Sequence, residues 1–191
     1  MAELHTHHMI YGHLQDFLTG ETLVDTDDER YRQQLARLLV EDKGFAREEI
    51  EPRLTIDTLF AGRFVVSRID LVIKLGGRRL LLLRYGPGSL VTRQRPALAA
   101  ARVLDRQGII PLAVVSNGQD AEILDSHSGK VIDQGLAAIP NRERLLAMAD
   151  GLKNSPLPED RRERELRILN AFDVEVCCAG DPCSLPGAEE G

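Results

Sequence analysis

The stretch spanning residues 68–89 limits the possible folds more than any other part of this chain. It reads Arg68-Ile-Asp70-Leu-Val-Ile-Lys-Leu, then Gly76-Gly77, then Arg-Arg-Leu-Leu-Leu-Leu-Arg84-Tyr85, and closes on Gly86-Pro-Gly-Ser89. Two apolar runs separated by paired glycines predict two β-strands joined by a tight turn. One carboxylate, Asp70, lies inside the first strand. A charge in such surroundings needs a partner, because an isolated carboxylate is costly to bury.

Upstream, Thr26-Asp27-Asp28-Glu29 predicts a helix start. Thr26 caps, Glu29 completes a capping box, and the acids suit the positive end of the helix dipole. Tyr31, Leu35, Leu38 and Leu39 recur at helical spacing, and Lys43-Gly44 ends the helix. Strands are expected over 50–60, 64–75 and 79–85, with a turn at Ala61-Gly62. An Ala-rich helix is expected over 96–107, stopped by Gly108. The apolar run 109–116 reads as a buried strand. Asn117-Gly118 is a turn, a hairpin follows over 121–124 and 130–133, and helices are expected over 142–151 and 159–172. The order is helix, three strands, helix, strand, then accessory elements, which predicts an α/β fold with a mixed central sheet flanked by helices and extra C-terminal helices. The segments are a lead-in (1–25), a core domain (26–152), a C-terminal helix (153–173) and a Cys-containing flexible tail (174–191).

The chain has 191 residues, which suits one domain with a tail. Its net charge is −6, yet residues 63–106 hold ten basic residues against two acids, a local charge of +8. Such separation presents a basic face to an anion, unless those arginines pair with acids from elsewhere. No apolar run approaches the roughly 20 residues of a membrane helix, and the N-terminus has no secretory h-region, so the expected location is the cytoplasm. Cys177, Cys178 and Cys183 lack zinc spacing and read as tail thiols, and His5, His7, His8 and His13 read as part of a frayed terminal segment.

Several pieces, taken in order, resemble the PD-(D/E)XK nuclease superfamily, in particular the N-terminal domain of type I restriction enzyme R subunits. They are Asp27-Asp-Glu-Arg-Tyr-Arg-Gln33, Lys43-Gly-Phe45, Arg68-Ile-Asp70-Leu-Val-Ile, Gly-Gly-Arg-Arg-Leu-Leu-Leu-Leu83, Pro87-Gly88 and Ile110-Pro-Leu-Ala-Val-Val-Ser-Asn-Gly118. The resemblance implies a restriction-endonuclease-like αβββαβ core. It implies a site where Asp and Glu on adjacent strands hold Mg²⁺ and a Lys two residues after the Glu positions water. Aligned on Pro87-Gly88, the Glu position is Leu83 and the Lys position is Tyr85. Leu83 cannot ligate a hard cation, and Tyr85 offers a hydrogen bond but no charge. A glutamine frequent on the family's next helix falls at Leu98.

The catalytic candidates are therefore Asp70, Glu29, Arg84 and Tyr85, with Asp70 and Glu29 as metal ligands. Arg84 lies between Leu83 and Tyr85 and points to the opposite face of an unbroken strand, so only a bulge would bring it to the site. For Glu29 the competing role is the helix cap. For Asp70 it is an ion pair with Arg84 or Arg68. Ser89, Thr92, Arg93 and Arg95, after the Gly-Pro-Gly turn, are the substrate-binding candidates, because turn N–H groups with hydroxyls and arginines cradle phosphate.

Three functions follow. The favoured one is a nucleic-acid-binding domain, with DNA as partner, whose cleavage is lost or weakened. The second is a divergent Mg²⁺-dependent DNA endonuclease, so Mg²⁺ is the cofactor if the chain is active and none is needed otherwise. The third is a partner-binding protein that reuses the fold, pairing with another subunit or a second copy.

Overall fold

The computed structural model describes residues 10–177. Its centre is a six-stranded sheet of β3 (Ile50–Phe60), β4 (Arg63–Leu75), β5 (Arg78–Tyr85), β6 (Leu112–Ser116), β7 (Ala121–Asp125) and β8 (Val131–Gln134), in that spatial order. Every neighbouring pair is antiparallel except β5 and β6, which run parallel. A parallel pair needs a crossover, and helix α2 (Val91–Val103) supplies it. With helix α1 (Asp27–Arg37) before β3, the expected order of helix, three strands, helix and strand is present in a mixed sheet flanked by helices.

The sheet has a core on each face. On one, Leu35, Ala36 and Leu39 pack over Leu71, Ile73, Leu81, Leu83 and Tyr85. On the other, the alanines of α2 and Leu169 of helix α4 (Glu159–Cys177) pack over Ile69, Val72, Leu82 and Ala113. Thr26 caps α1 as expected, its Oγ1 accepting from Glu29 N–H at 3.1 Å, but the Glu29 side chain turns to Gln33 and does not close the expected capping box. The helix runs on into a π-helical turn, Leu38–Asp42.

Four local expectations are corrected. The lead-in is a hairpin of β1 (Ile10–Gln15) and β2 (Thr22–Thr26), paired antiparallel as a separate sheet. Helix α2 starts at Val91, five residues before Pro96, so the proline lies inside the helix rather than at its start. It stops at Val103, and Asp105 then turns its side chain onto Gln107 N–H at 2.9 Å. Strand β6 begins at Leu112 because Ile109 and Ile110 spend their N–H groups on Ser155 and Ala101 and Pro111 has none. Helix α4 runs past Phe172 to Cys177, and a shorter helix α3 (Arg142–Met148) precedes it. No helix among the described residues is long and apolar enough to cross a membrane.

Candidate functional site

Because β5 and β6 run parallel, their following loops, 86–90 and 117–120, emerge at the same edge of the sheet. The carboxyl ends of parallel strands are where ligands bind in open α/β sheets. Gly86 N–H donates to the Ser116 carbonyl at 3.0 Å, and Asn117 Nδ2 donates to the Gly88 carbonyl at 3.2 Å, so the two loops are tied together. Asp70 lies beside this edge.

Asp70 sits at an interruption of the sheet. Pairing of β3 with β4 passes from Pro52–Leu71 to Leu54–Ile69, leaving Arg53 and Asp70 unpaired between them, and Arg53 has a φ of +53°. Pairing of β4 with β5 ends at Leu71–Leu83. Ile69 belongs to the core under α2 and α4, whereas Leu71 belongs to the core under α1. In a regular strand these two would share a face, so the alternation slips at Asp70 and turns its side chain toward α1. There the carboxylate completes the broken ladder itself: Oδ2 accepts from the Tyr85 backbone N–H at 2.7 Å.

The other oxygen, Oδ1, accepts from Arg32 Nε at 2.6 Å. This corrects the expected pairing of Asp70 with Arg84 or Arg68. Arg32 Nη1 also lies 3.6 Å from Glu29 Oε2, so one guanidinium spans both expected metal-ligand carboxylates. Burial opposes the Arg32 charge, but the Asp70 carboxylate overrides it, with help from Glu29 and Asp28, and the group is held charged above its ordinary range. The Glu29 side chain itself accepts from Gln33 Nε2 at 2.8 Å.

Tyr85 closes the floor of the cleft. Its hydroxyl donates to Asp28 Oδ1 at 3.1 Å, its ring stacks on Tyr31 at 5.7 Å between centroids, and the Arg32 guanidinium lies 5.2 Å from its centre. Burial first, then the charge of Asp28 and its hydrogen bond, push the phenol well above its usual range, so it stays neutral. Gly118, at a φ of +85°, leaves room for the Tyr31 ring, since a Cβ there would run into it.

Arg84 goes the other way. Its Nη2 donates to Asp173 Oδ1 of α4 at 3.1 Å, and no bulge returns it to Asp70. Leu83 and Leu98 are core residues of opposite faces. Of the substrate-binding candidates, Ser89 and Thr92 are exposed at the loop and the start of α2. Arg93 lies across Gly86, where a Cβ would sit 3.0 Å from its Nε. Arg95 is committed to Glu165, with Nη1 at 2.8 Å from Oε2. The basic stretch 63–106 is thus partly neutralised: Glu51 takes Lys74 and Arg79, Glu165 takes Arg95 and Arg102, and Asp173 takes Arg84. Among the described residues no carboxylate comes within ion-pair distance of Arg63, Arg68 or Arg93.

The arrangement does not fit a resident Mg²⁺. That ion wants near-octahedral oxygen ligands at about 2.0–2.1 Å. Here both Asp70 oxygens are taken by N–H donors, Leu83 offers no oxygen, and a guanidinium lies between Glu29 and Asp70. Among the described residues no group of three His, Cys, Asp or Glu side chains is set to hold a metal. His13 is exposed on β1. His5, His7, His8, Cys178 and Cys183 lie outside the described residues, as does the predicted disorder of the tail.

Sequence reasoning missed Arg32, Tyr31, Asp28 and Gly118 as site residues. The signal for Arg32 was its spacing: three residues after Glu29 and four after Asp28, it shares their helix face.

A model of the family described as type I restriction enzyme R protein N terminus matches residues 27–140, from the start of α1 to beyond β8. The chain belongs to that family. No curated protein and no solved structure matches it.

Proposed function

We propose that the chain is a DNA-binding domain on a core derived from PD-(D/E)XK nucleases, with its phosphodiester-cleaving chemistry lost or weakened. Family membership supports the DNA-related role. The observation that carries the loss of cleavage is the filled cleft: Arg32 and the Tyr85 N–H occupy both oxygens of Asp70, while leucine and tyrosine stand where a glutamate and a lysine are needed. Arg93 beside the Gly-Pro-Gly turn, with Arg63 and Arg68 on β4, supplies the cations for phosphate contact.

Gel-shift or fluorescence titration against duplex DNA at rising salt tests this. Three phosphate contacts give a log–log salt slope of about −3, and Arg93→Ala reduces that slope by about 1. In the same samples, Mg²⁺ or Mn²⁺ leaves the DNA uncut. Nicking that disappears in Asp70→Ala would install the divergent Mg²⁺-dependent endonuclease instead. Lack of binding at low salt would leave a partner-binding role.

A further inference from the structure

We infer that Arg32 is the built-in cation of this cleft, a positioning residue that holds Asp70 where a nuclease of this kind would depend on a divalent ion. The inference takes from the proposed function only the identity of the ion replaced. Its test reads stability rather than DNA binding, so the two fail separately.

Three observations converge. The first is electrostatic need. Glu29 of α1 and Asp70 of β4 share a single guanidinium among the described residues, that of Arg32. A carboxylate held at a break in the ladder must be compensated, or it drives the strand apart from the helix. The second is geometry. A guanidinium donates along fixed directions from a planar fork, and Arg32 uses two of its nitrogens on two different carboxylates. The third is the floor. The Arg32 guanidinium rides over the Tyr85 ring, which is itself stacked on Tyr31. An aromatic face attracts a flat organic cation, whereas a hard divalent ion seeks oxygen. Tyrosine at 85 therefore suits arginine at 32, and the pair replaces the ion and lysine together.

Thermal unfolding of the full chain tests the inference, with Mn²⁺ and EDTA as the probes. The wild-type midpoint is the same in EDTA and in millimolar Mn²⁺. Arg32→Ala lowers it by about 4–8 °C in EDTA, Arg32→Lys recovers part of the loss, and Mn²⁺ raises the midpoint of Arg32→Ala because the vacated carboxylates then accept the ion. Mn²⁺ has no such effect on the double variant Arg32→Ala/Asp70→Asn. A wild-type midpoint raised by Mn²⁺ overturns the inference. So does an Arg32→Ala midpoint that equals the wild type, or one that Mn²⁺ leaves unchanged. If Arg32→Ala does not fold, the wild-type arm and Arg32→Gln decide, the latter by gaining a response to Mn²⁺ that the wild type lacks.

Discussion

Arg84 and Tyr85 are consecutive on β5, yet they serve opposite faces of the sheet under opposite arrangements of charge. On the α1 face the strand contributes the acid, Asp70, and the helix contributes the arginine. On the α4 face the strand contributes the arginine, Arg84, and the helix contributes the acid, Asp173. The α1 face lies within the matched family region, while α4 lies outside it. An element added beyond the family core therefore brings the countercharges for arginines inside it. Glu165 does the same for Arg95 and Arg102. The α4 face fastens the molecule, and the α1 face shapes its cleft.

The first way to break this comparison is Glu165→Ala. It strands Arg102, only 9 % exposed, with Arg95 also left unpaired. Urea unfolding at neutral pH is expected to show a loss of about 3–5 kcal/mol, the usual result of orphaning a buried charge. A loss below about 1 kcal/mol would mean that the α4 face is only a solvated surface.

On the α1 face, Gly118→Ala places a methyl group against the Tyr31 ring at a backbone angle that alanine resists. A cost of about 2–3 kcal/mol is expected, together with a changed near-ultraviolet tyrosine signal as the Tyr31–Tyr85 stack separates. An unchanged signal would uncouple the 117–120 loop from the cleft.

Asp173→Ala sharpens the contrast between the faces. Arg84 keeps some access to water, so about 1–2 kcal/mol is expected. Divalent ions should leave the variant's midpoint unchanged, since the Asp70 cleft is untouched.

The smallest effect is a matter of pH. Asp16, in the β1–β2 loop, is 5 % exposed. Burial raises its proton affinity, but Thr19 N–H, Gln33 and Arg53 more than reverse this, so its carboxyl sits below the usual range. A depressed folded-state value stabilises the fold above the unfolded value and loses that contribution as pH falls through the folded one. Stability should therefore decline by about 1 kcal/mol on acidification below roughly pH 4. Asp16→Asn should flatten that part of a pH series of urea unfolding. An identical slope in both proteins would assign the acid sensitivity elsewhere.

The elements were legible where a period and a punctuation mark coincide. The β4–β5 hairpin was readable because two apolar runs flank Gly76-Gly77, and α1 because Thr26 caps an apolar stripe. The opposite facing of Arg84 and Tyr85 followed from alternation alone. The β1–β2 hairpin was hidden because its strands are short, largely exposed and disturbed at Gly12, so no alternation stands out. Asp70 was found as a buried acid, but its partner was not. Arg32 lies 38 residues away on another element, and a local search offers Arg68 and Arg84 first. Glu165 escaped for a related reason. It sits on the same helical stripe as Leu169, where an acid reads as solvated until Arg102, within an alanine-rich helix, is brought opposite.

The gap between Arg53 and Asp70 has a mechanical meaning for the long β3–β4 hairpin. Hydrogen-bonded rungs resist flexing on both sides of it, so bending concentrates at the one level where rungs are missing. The inner leaf, 50–52 with 71–73, is welded to β5, whereas the outer leaf, 54–60 with 63–69, carries α4 through the bonds of Asn170 to Thr58 and to the Arg63 carbonyl. Arg53, at the level of the gap, is gripped from outside by Asp16 and Glu21. A tilt of the outer leaf would have to strain α4 against its ion pairs to Arg84 of β5 and to Arg95 and Arg102 of α2, so the helix works as a strut across the gap.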